Sequence, residues 1–198
     1  HDDQLGVVRY GNYDDKAGKK IWIWGLSRQG MIWEKLLTDT DGQYVEMQSG
    51  RLFNQNSGRS LYTPFKYLGF APYATDIWTE YFYPVLRTGG YVEANQYGAL
   101  NLVRGNGYLK VCFSPAQITD DLLEIREGER VLYRKKLVLN PLTTFADSIS
   151  FTRNDKAITV TLGGNKLVYR TDPDYRVISR PVDAPDDFNW NSAYGLYV

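Results

Sequence analysis

Between Gly105 and Asp172, apolar side chains recur at every second position, and glycine-rich turns break the run at short intervals. Leu109, Val111 and Phe113 form one such set; Leu123 with Ile125, Val131 with Tyr133 and Leu137, and Ile149 with Phe151 form the next three. Ile158, Val160 and Leu162, then Leu167 and Tyr169, complete the series. A period of two places alternate side chains on opposite faces of a strand, so a chain of this texture buries its apolar residues only by pairing strands and stacking sheets. Gly105-Asn106-Gly107, Glu127-Gly128-Glu129, Asn154-Asp155 and Gly163-Gly164-Asn165 supply the tight turns. The spacing predicts a small immunoglobulin-like β-sandwich over residues 105–172, with a boundary near Arg104. Nothing in it points to chemistry: Arg134, Lys135 and Lys136 read as a solvated strand face. The 16 Tyr, 8 Phe and 5 Trp beside 18 Gly extend the all-β expectation to the whole chain.

The first 104 residues form a second β module. Residues 1–19 read as one loose hairpin, with Gly6–Tyr10 a strand, Gly11–Asp15 turn-rich and a further turn around Gly18; Ile21–Trp24 reads as a strand with large groups on both faces. Residues 26–37 are ambiguous. Ile32, Trp33, Leu36 and Leu37 have helical spacing, but Gly30 interrupts them. Thr38–Gly42 is a turn, and it lacks the acidic pattern of a calcium loop. Residues 43–52 read as a strand with Tyr44, Glu46 and Gln48 on one face and Val45, Met47 and Ser49 on the other. Residues 77–86 form another, with Trp78, Glu80 and Phe82 on one face, and Ala99–Val103 a further apolar strand.

The segment from Lys20 to Gln55 concentrates Trp22, Trp24, Trp33 and Tyr44 among Glu34, Asp39, Asp41, Gln43, Glu46, Gln48, Arg51 and Gln55. Flat aromatic faces beside planar amides and carboxylates suit a sugar: the rings cover its C–H face and the polar groups bond its hydroxyls. Trp24-Gly25, Gly30, Trp33, Leu37-Thr38-Asp39, Asp41-Gly42, Tyr44, Glu46 and Gly50, followed by Trp78–Leu102, resemble an uncharacterised bacterial domain family usually fused to tetratricopeptide repeats. The resemblance covers roughly the first half of the chain. It implies a galactose-mutarotase-like β-supersandwich and a carbohydrate as the substrate class. It further implies earlier strands upstream of His1 and helical repeats downstream, an exposed sheet edge or inner face through which a homodimer is expected, and a periplasmic or cell-surface location. Mutarotases of the known type use a histidine acid. The only histidine here is His1, which argues against mutarotase activity.

Other classes are excluded more simply. Lys+Arg and Asp+Glu both number 23, so there is no basic excess for a nucleic-acid backbone. No apolar run approaches the roughly 20 residues of a membrane span, and no signal-peptide pattern opens the sequence. One histidine and one cysteine, Cys112, leave no disulfide, no Cys-based or multi-His metal site and no histidine-activated nucleophile. No cofactor is expected. Cys112, between Val111 and Phe113, reads as a structural strand thiol.

The candidate catalytic pair is Glu46 and Glu80, since glycoside hydrolysis needs two carboxylates facing one bond. Glu80 stands between aromatics, a setting that raises a carboxyl pKa when dry. Trp24, Trp33 and Tyr44 are the candidate stacking platforms; Asp41, Gln48, Arg51 and Gln55 are the candidate hydroxyl partners. Against each stands a structural role. Trp22 and Trp24 could be core, Glu34 a surface charge, Asp39 and Asp41 backbone-bonded turn residues, and Arg51 a partner of Glu46 or Asp41. Three functions follow: a glycan-binding module, the catalytic part of a glycoside hydrolase-like enzyme, or a structural spacer that presents a repeat domain. Binding is preferred. Exposed aromatics without paired acids would mark the first, paired carboxylates the second, and buried tryptophans the third. Residues 173–198, with Pro173, Pro181 and Pro185, read as an extended connector, and Ser192 as the cap of a following helix.

Overall fold

A computed structural model of the chain describes residues 4–16, 18–50, 69–152, 156–172, 189 and 191–193. They are mostly β-strand. The elements are β1 (Leu5–Gly11), β2 (Gly18–Ile23), α1 (Arg28–Leu37), β3 (Val45–Gly50), β4 (Glu80–Leu86), β5 (Glu93–Asn95), β6 (Gly98–Gly105), β7 (Tyr108–Pro115), β8 (Thr119–Glu127), β9 (Arg130–Leu139), β10 (Phe145–Ser150), β11 (Ile158–Leu162) and β12 (Leu167–Arg170). The chain divides into two compact units. One contains His1–Gly11 and Glu80–Arg180, the other Asn12–Thr79 and Pro181–Val198.

The first unit holds two four-stranded sheets, ordered β10-β7-β6-β5 and β12-β11-β8-β9. Leu100, Leu102, Leu109, Val111 and Phe113 from one sheet meet Leu123, Ile125, Leu137, Ile158, Val160, Leu162 and Leu167 from the other in a single buried cluster, with Phe151. Most of the alternation read from the sequence has its physical counterpart in the inward faces of two stacked sheets; Val131 does not, being 39% exposed beside the β-bulge at Ile125/Arg126, and Leu132 packs against the core instead. The predicted turns at 105–107, 127–129 and 163–165 join β6 to β7, β8 to β9 and β11 to β12. Residues Asn154 and Asp155 lie outside the described residues.

Two features were not visible in the pattern. The sheet pairing runs through Arg104, because β6 crosses that position and pairs with β7 from Gly98↔Pro115 to Gly105↔Tyr108. Strands β5 and β6 thus belong to the sandwich. In addition, Gly98–Leu102 and Val111–Pro115 are buried on both faces. A second layer explains this. Residues 1–19 do not close as a hairpin: β1 pairs antiparallel with β4, from Leu5↔Leu86 to Gly11↔Glu80, and Gly18 opens a strand rather than a turn. Val8, Tyr83 and Val85 of that pair pack with Ala99 of β6. The small side chains of Ala99, Cys112 and Ser114 let the pair approach closely, and Asn101 Nδ2 donates to Thr88 O at 2.8 Å there. Cys112 is buried, and burial pushes its thiol pKa up. This is the behaviour of an inert core thiol.

The outer strand faces carry ordered charge. Glu124 lies between Arg126 and Arg134, whose hydrogen bonds hold its pKa below the usual carboxylate value. Asp147 is lowered first by the Tyr133 hydroxyl, which donates to Oδ2, and then by the Ser148 backbone N–H. A carboxyl whose folded pKa is depressed stabilises the fold above its ordinary pKa, about 4, and loses that contribution as pH falls through the lowered value. The stability difference between wild type and Tyr133→Phe, read from urea midpoints, should therefore be present at neutral pH and narrow as pH falls below about 4. A difference that stays constant across that acid range would show that Asp147 is not coupled to Tyr133.

The second unit contains the pair β2–β3, in register from Gly18↔Gly50 to Ile23↔Val45, and α1. One face of the pair carries Ile21, Ile23, Val45 and Met47, all exposed. The other carries Lys20, Trp22, Glu46 and Gln48. Lys16, 7% exposed, reaches Asp76 at 2.8 Å and lies over the Trp78 ring at 4.4 Å, which ties the entry of the segment to its exit. Among the described residues no helix is long and apolar enough to cross a membrane. The capping role expected of Ser192 meets a turn at 191–193, in which Ser192 Oγ donates to Asn189 O; residues 194–198 lie outside the described residues.

Candidate functional site

The site is built on the β2–β3 pair by the turn that leads into α1. Gly25, at φ +60°, adopts a left-handed conformation that a side chain disfavours. The chain then reverses, and Ser27 caps the helix, its Oγ accepting from the Gly30 N–H at 3.1 Å. Gly30 resolves the ambiguity of this segment. It is buried in the first turn, where a Cβ would stand 2.2 Å from Gly25 O and 2.4 Å from Trp24 O. Glycine is tolerated inside this helix because the helix must touch the preceding backbone there.

That contact brings three rings together. The Trp24 and Trp33 centroids lie 5.4 Å apart at 51°, and those of Trp33 and Tyr44 6.2 Å apart at 31°. Both spacings fall in the range of favourable tilted aromatic pairs. Trp22 and Trp24 remain 37% and 36% exposed, and Trp33 and Tyr44 are half-buried. The rings form a tilted series, the shelf, that keeps part of its surface in solvent.

A polar row lies beside the shelf. Trp24 Nε1 donates to Glu46 Oε2 at 3.1 Å, Gln48 Nε2 donates to Glu46 Oε1 at 3.5 Å, and Trp22 Nε1 donates to Gln48 Oε1 at 3.0 Å. The amide orientation of Gln48 is dictated by its neighbours. An indole N–H only donates, so it needs the oxygen; a carboxylate only accepts, so it takes the nitrogen. Trp22, whose residue type alone suggests a core position, anchors Gln48 instead, a role that only the Trp22↔Glu46 register makes visible.

The remaining candidates are placed as follows. Asp41 is exposed in the turn after α1, where its backbone N–H donates to Thr38 O at 2.7 Å. The turn is braced by the Thr38 hydroxyl, 2.8 Å from Glu34 O and 2.7 Å from Gly42 O. Glu34 accepts from Gln43 at 2.9 Å. Arg51 and Gln55 lie outside the described residues. Glu80 belongs to the other unit, on β4, where Arg9 Nη2 is 3.0 Å from Oε1 and 3.4 Å from Oε2. The same guanidinium lies over the Phe82 ring at 5.6 Å. Of the two aromatics expected beside Glu80, Phe82 meets its arginine and Trp78 belongs to the other unit, so the carboxylate faces a cation and not a dry aromatic pocket. Among the described residues, no group of three or more His, Cys, Asp or Glu is placed to hold a metal ion.

Residues 1–85 match the family model of a domain of unknown function, DUF5107. The DUF5107 match takes in the shelf, the polar row, β1 and β4 as far as Val85, the last core residue of that strand. It supports an uncharacterised domain family for this segment, as the resemblance led one to expect. No solved structure matches the chain.

Proposed function

We propose that this chain binds a glycan on the Trp24–Trp33–Tyr44 shelf, with Glu46 and Gln48 bonding its hydroxyls. The observation that carries the reading is the juxtaposition of a solvent-contacting, three-ring surface with a carboxylate whose two oxygens are both oriented by side-chain donors. Tilted rings in series offer the extended apolar face that pyranose C–H groups need, and the carboxylate supplies directional acceptors.

Binding is favoured over hydrolysis. Glu46 and Glu80 fall in separate compact units, and Glu80 is engaged by Arg9. A spacer role is disfavoured because Trp22 and Trp24 keep over a third of their surface in solvent. The same proposal extends to the finer implications of the resemblance: a mutarotase-like origin for the matched segment, an immunoglobulin-like sandwich after it, and a place in a larger glycan-processing protein with helical repeats, exported or held at the cell surface.

A glycan-array screen of the wild type beside Trp33→Ala tests this. The wild type should retain a defined set of glycans. Trp33→Ala, which removes the middle ring, should weaken each by about tenfold or more, the equivalent of about 1.4 kcal/mol. A wild type that captures no glycan would sink the reading.

A further inference from the structure

The hydrogen bonds around Glu46 constrain what the shelf can hold. A carboxylate offers about four lone-pair sites, two on each oxygen. Trp24 Nε1 takes one on Oε2 and Gln48 Nε2 one on Oε1. Glu46 is half-exposed, and these two are the only hydrogen-bond partners of its carboxylate among the described residues. Among the described residues, one acceptor site per oxygen is left. The oxygens of a gauche vicinal diol are close enough together for both hydroxyls to reach the two oxygens of a single carboxylate. Two adjacent hydroxyls can therefore donate to it together, whereas an isolated hydroxyl would leave one oxygen to water.

We propose that the ligand of this shelf is a pyranoside presenting a gauche pair of adjacent hydroxyls to Glu46, with Trp24 and Gln48 as positioning residues that hold the carboxylate plane for a two-point grip. This rests on the glycan-binding reading and narrows it. A trans-diaxial pair is excluded because its oxygens lie too far apart for one carboxylate. Trp22 acts at one remove: its N–H fixes the Gln48 amide so that nitrogen, not oxygen, faces Glu46.

The test uses ligand-observed NMR, which detects millimolar binding, on the whole chain. The probes are methyl pyranosides of glucose, galactose, mannose and xylose, each beside its monodeoxy derivatives. At least one parent should bind. Deleting either of two adjacent hydroxyls should weaken it about tenfold, the scale of a charge-assisted hydrogen bond; deletions elsewhere on the ring should do much less. In Glu46→Gln, where an amide NH2 replaces one acceptor, at least one of the two penalties should vanish. In Trp24→Phe, which keeps a ring but removes the N–H, the two penalties should become unequal. Loss of packing alone would weaken all derivatives alike and would not change this pattern. Binding in which the two sensitive hydroxyls are not adjacent, or in which Glu46→Gln leaves both penalties intact, overturns the two-point grip and leaves the shelf standing. Absence of binding by every parent overturns the shelf reading, and the grip with it.

Discussion

Gly30→Ala should abolish glycan binding while leaving the sandwich unit folded. Alanine ordinarily stabilises a helix interior by about 1 kcal/mol relative to glycine. Here the new methyl would stand 2.2 Å from Gly25 O and 2.4 Å from Trp24 O, both backbone atoms that cannot rotate away. Either α1 moves off the turn or the turn loses its shape. Overpacking of this kind costs about 1–3 kcal/mol, and the displaced residues include Trp24 and Trp33, whose rings meet across the contact. Circular dichroism, tryptophan fluorescence and a glycan titration on the variant check it. The five tryptophans all belong to Asn12–Thr79 or Pro181–Val198, so their emission reports that unit. Unchanged emission with unchanged binding would mean that the close approach is not needed for the shelf.

Gly98→Ala should be the most damaging single methyl in the sandwich. Its Cβ would meet Phe113 Cζ at 2.5 Å, Phe113 Cε2 at 2.7 Å and Ser114 O at 2.6 Å. Phe113 is fully buried in the main core, and Ser114 lies under the β1–β4 layer, so relief on one side presses on the other. The expected loss is about 3 kcal/mol, the upper end of overpacking, comparable with the about 3–5 kcal/mol of Phe113→Ala, which would empty the same place. Urea unfolding followed by tyrosine absorbance and far-ultraviolet dichroism measures both. A Gly98→Ala protein within about 0.5 kcal/mol of wild type would show that β6 and β7 can separate there at little cost.

The sequence exposed some parts of this protein and hid others for identifiable reasons. The inward faces of β7, β8 and β11 were legible because one-sided burial writes a period of two, as in Leu109, Val111 and Phe113. Val111–Pro115 broke the rule because both faces of β7 are covered, and the small Cys112 and the polar Ser114 give only a weak apolar signal for the second layer. The partner of β1 was not legible at all. Alternation tells a strand which face is buried and not which distant strand it pairs with. β1 meets β4 only after Asn12–Thr79 has intervened. This is also why Glu46 and Glu80 looked alike on paper. Each sits on a strand among aromatics, but the two strands belong to separate units. For the shelf, the residue types were enough to suggest Trp24, Trp33, Tyr44, Glu46 and Gln48. The register of β2 on β3, which places Trp22 opposite Glu46, was needed to see that Trp22 steadies the row.

The Lys16–Asp76 pair changes the order in which these pieces are easiest to assemble. β1 and β4 close over the whole of Asn12–Thr79, and closing so long a flexible loop costs about 3 kcal/mol more chain entropy than closing a two-residue turn. Once Lys16 and Asp76 are in contact, only short stubs separate them from Gly11 and Glu80, and most of that penalty has already been met. Assembly of the shelf unit thus lowers the entropic barrier to docking β1 on β4. The sandwich should gain its outer layer fastest in molecules where the inserted unit has already folded, and a lesion that unfolds the insert would slow that closure without touching a residue of the sandwich.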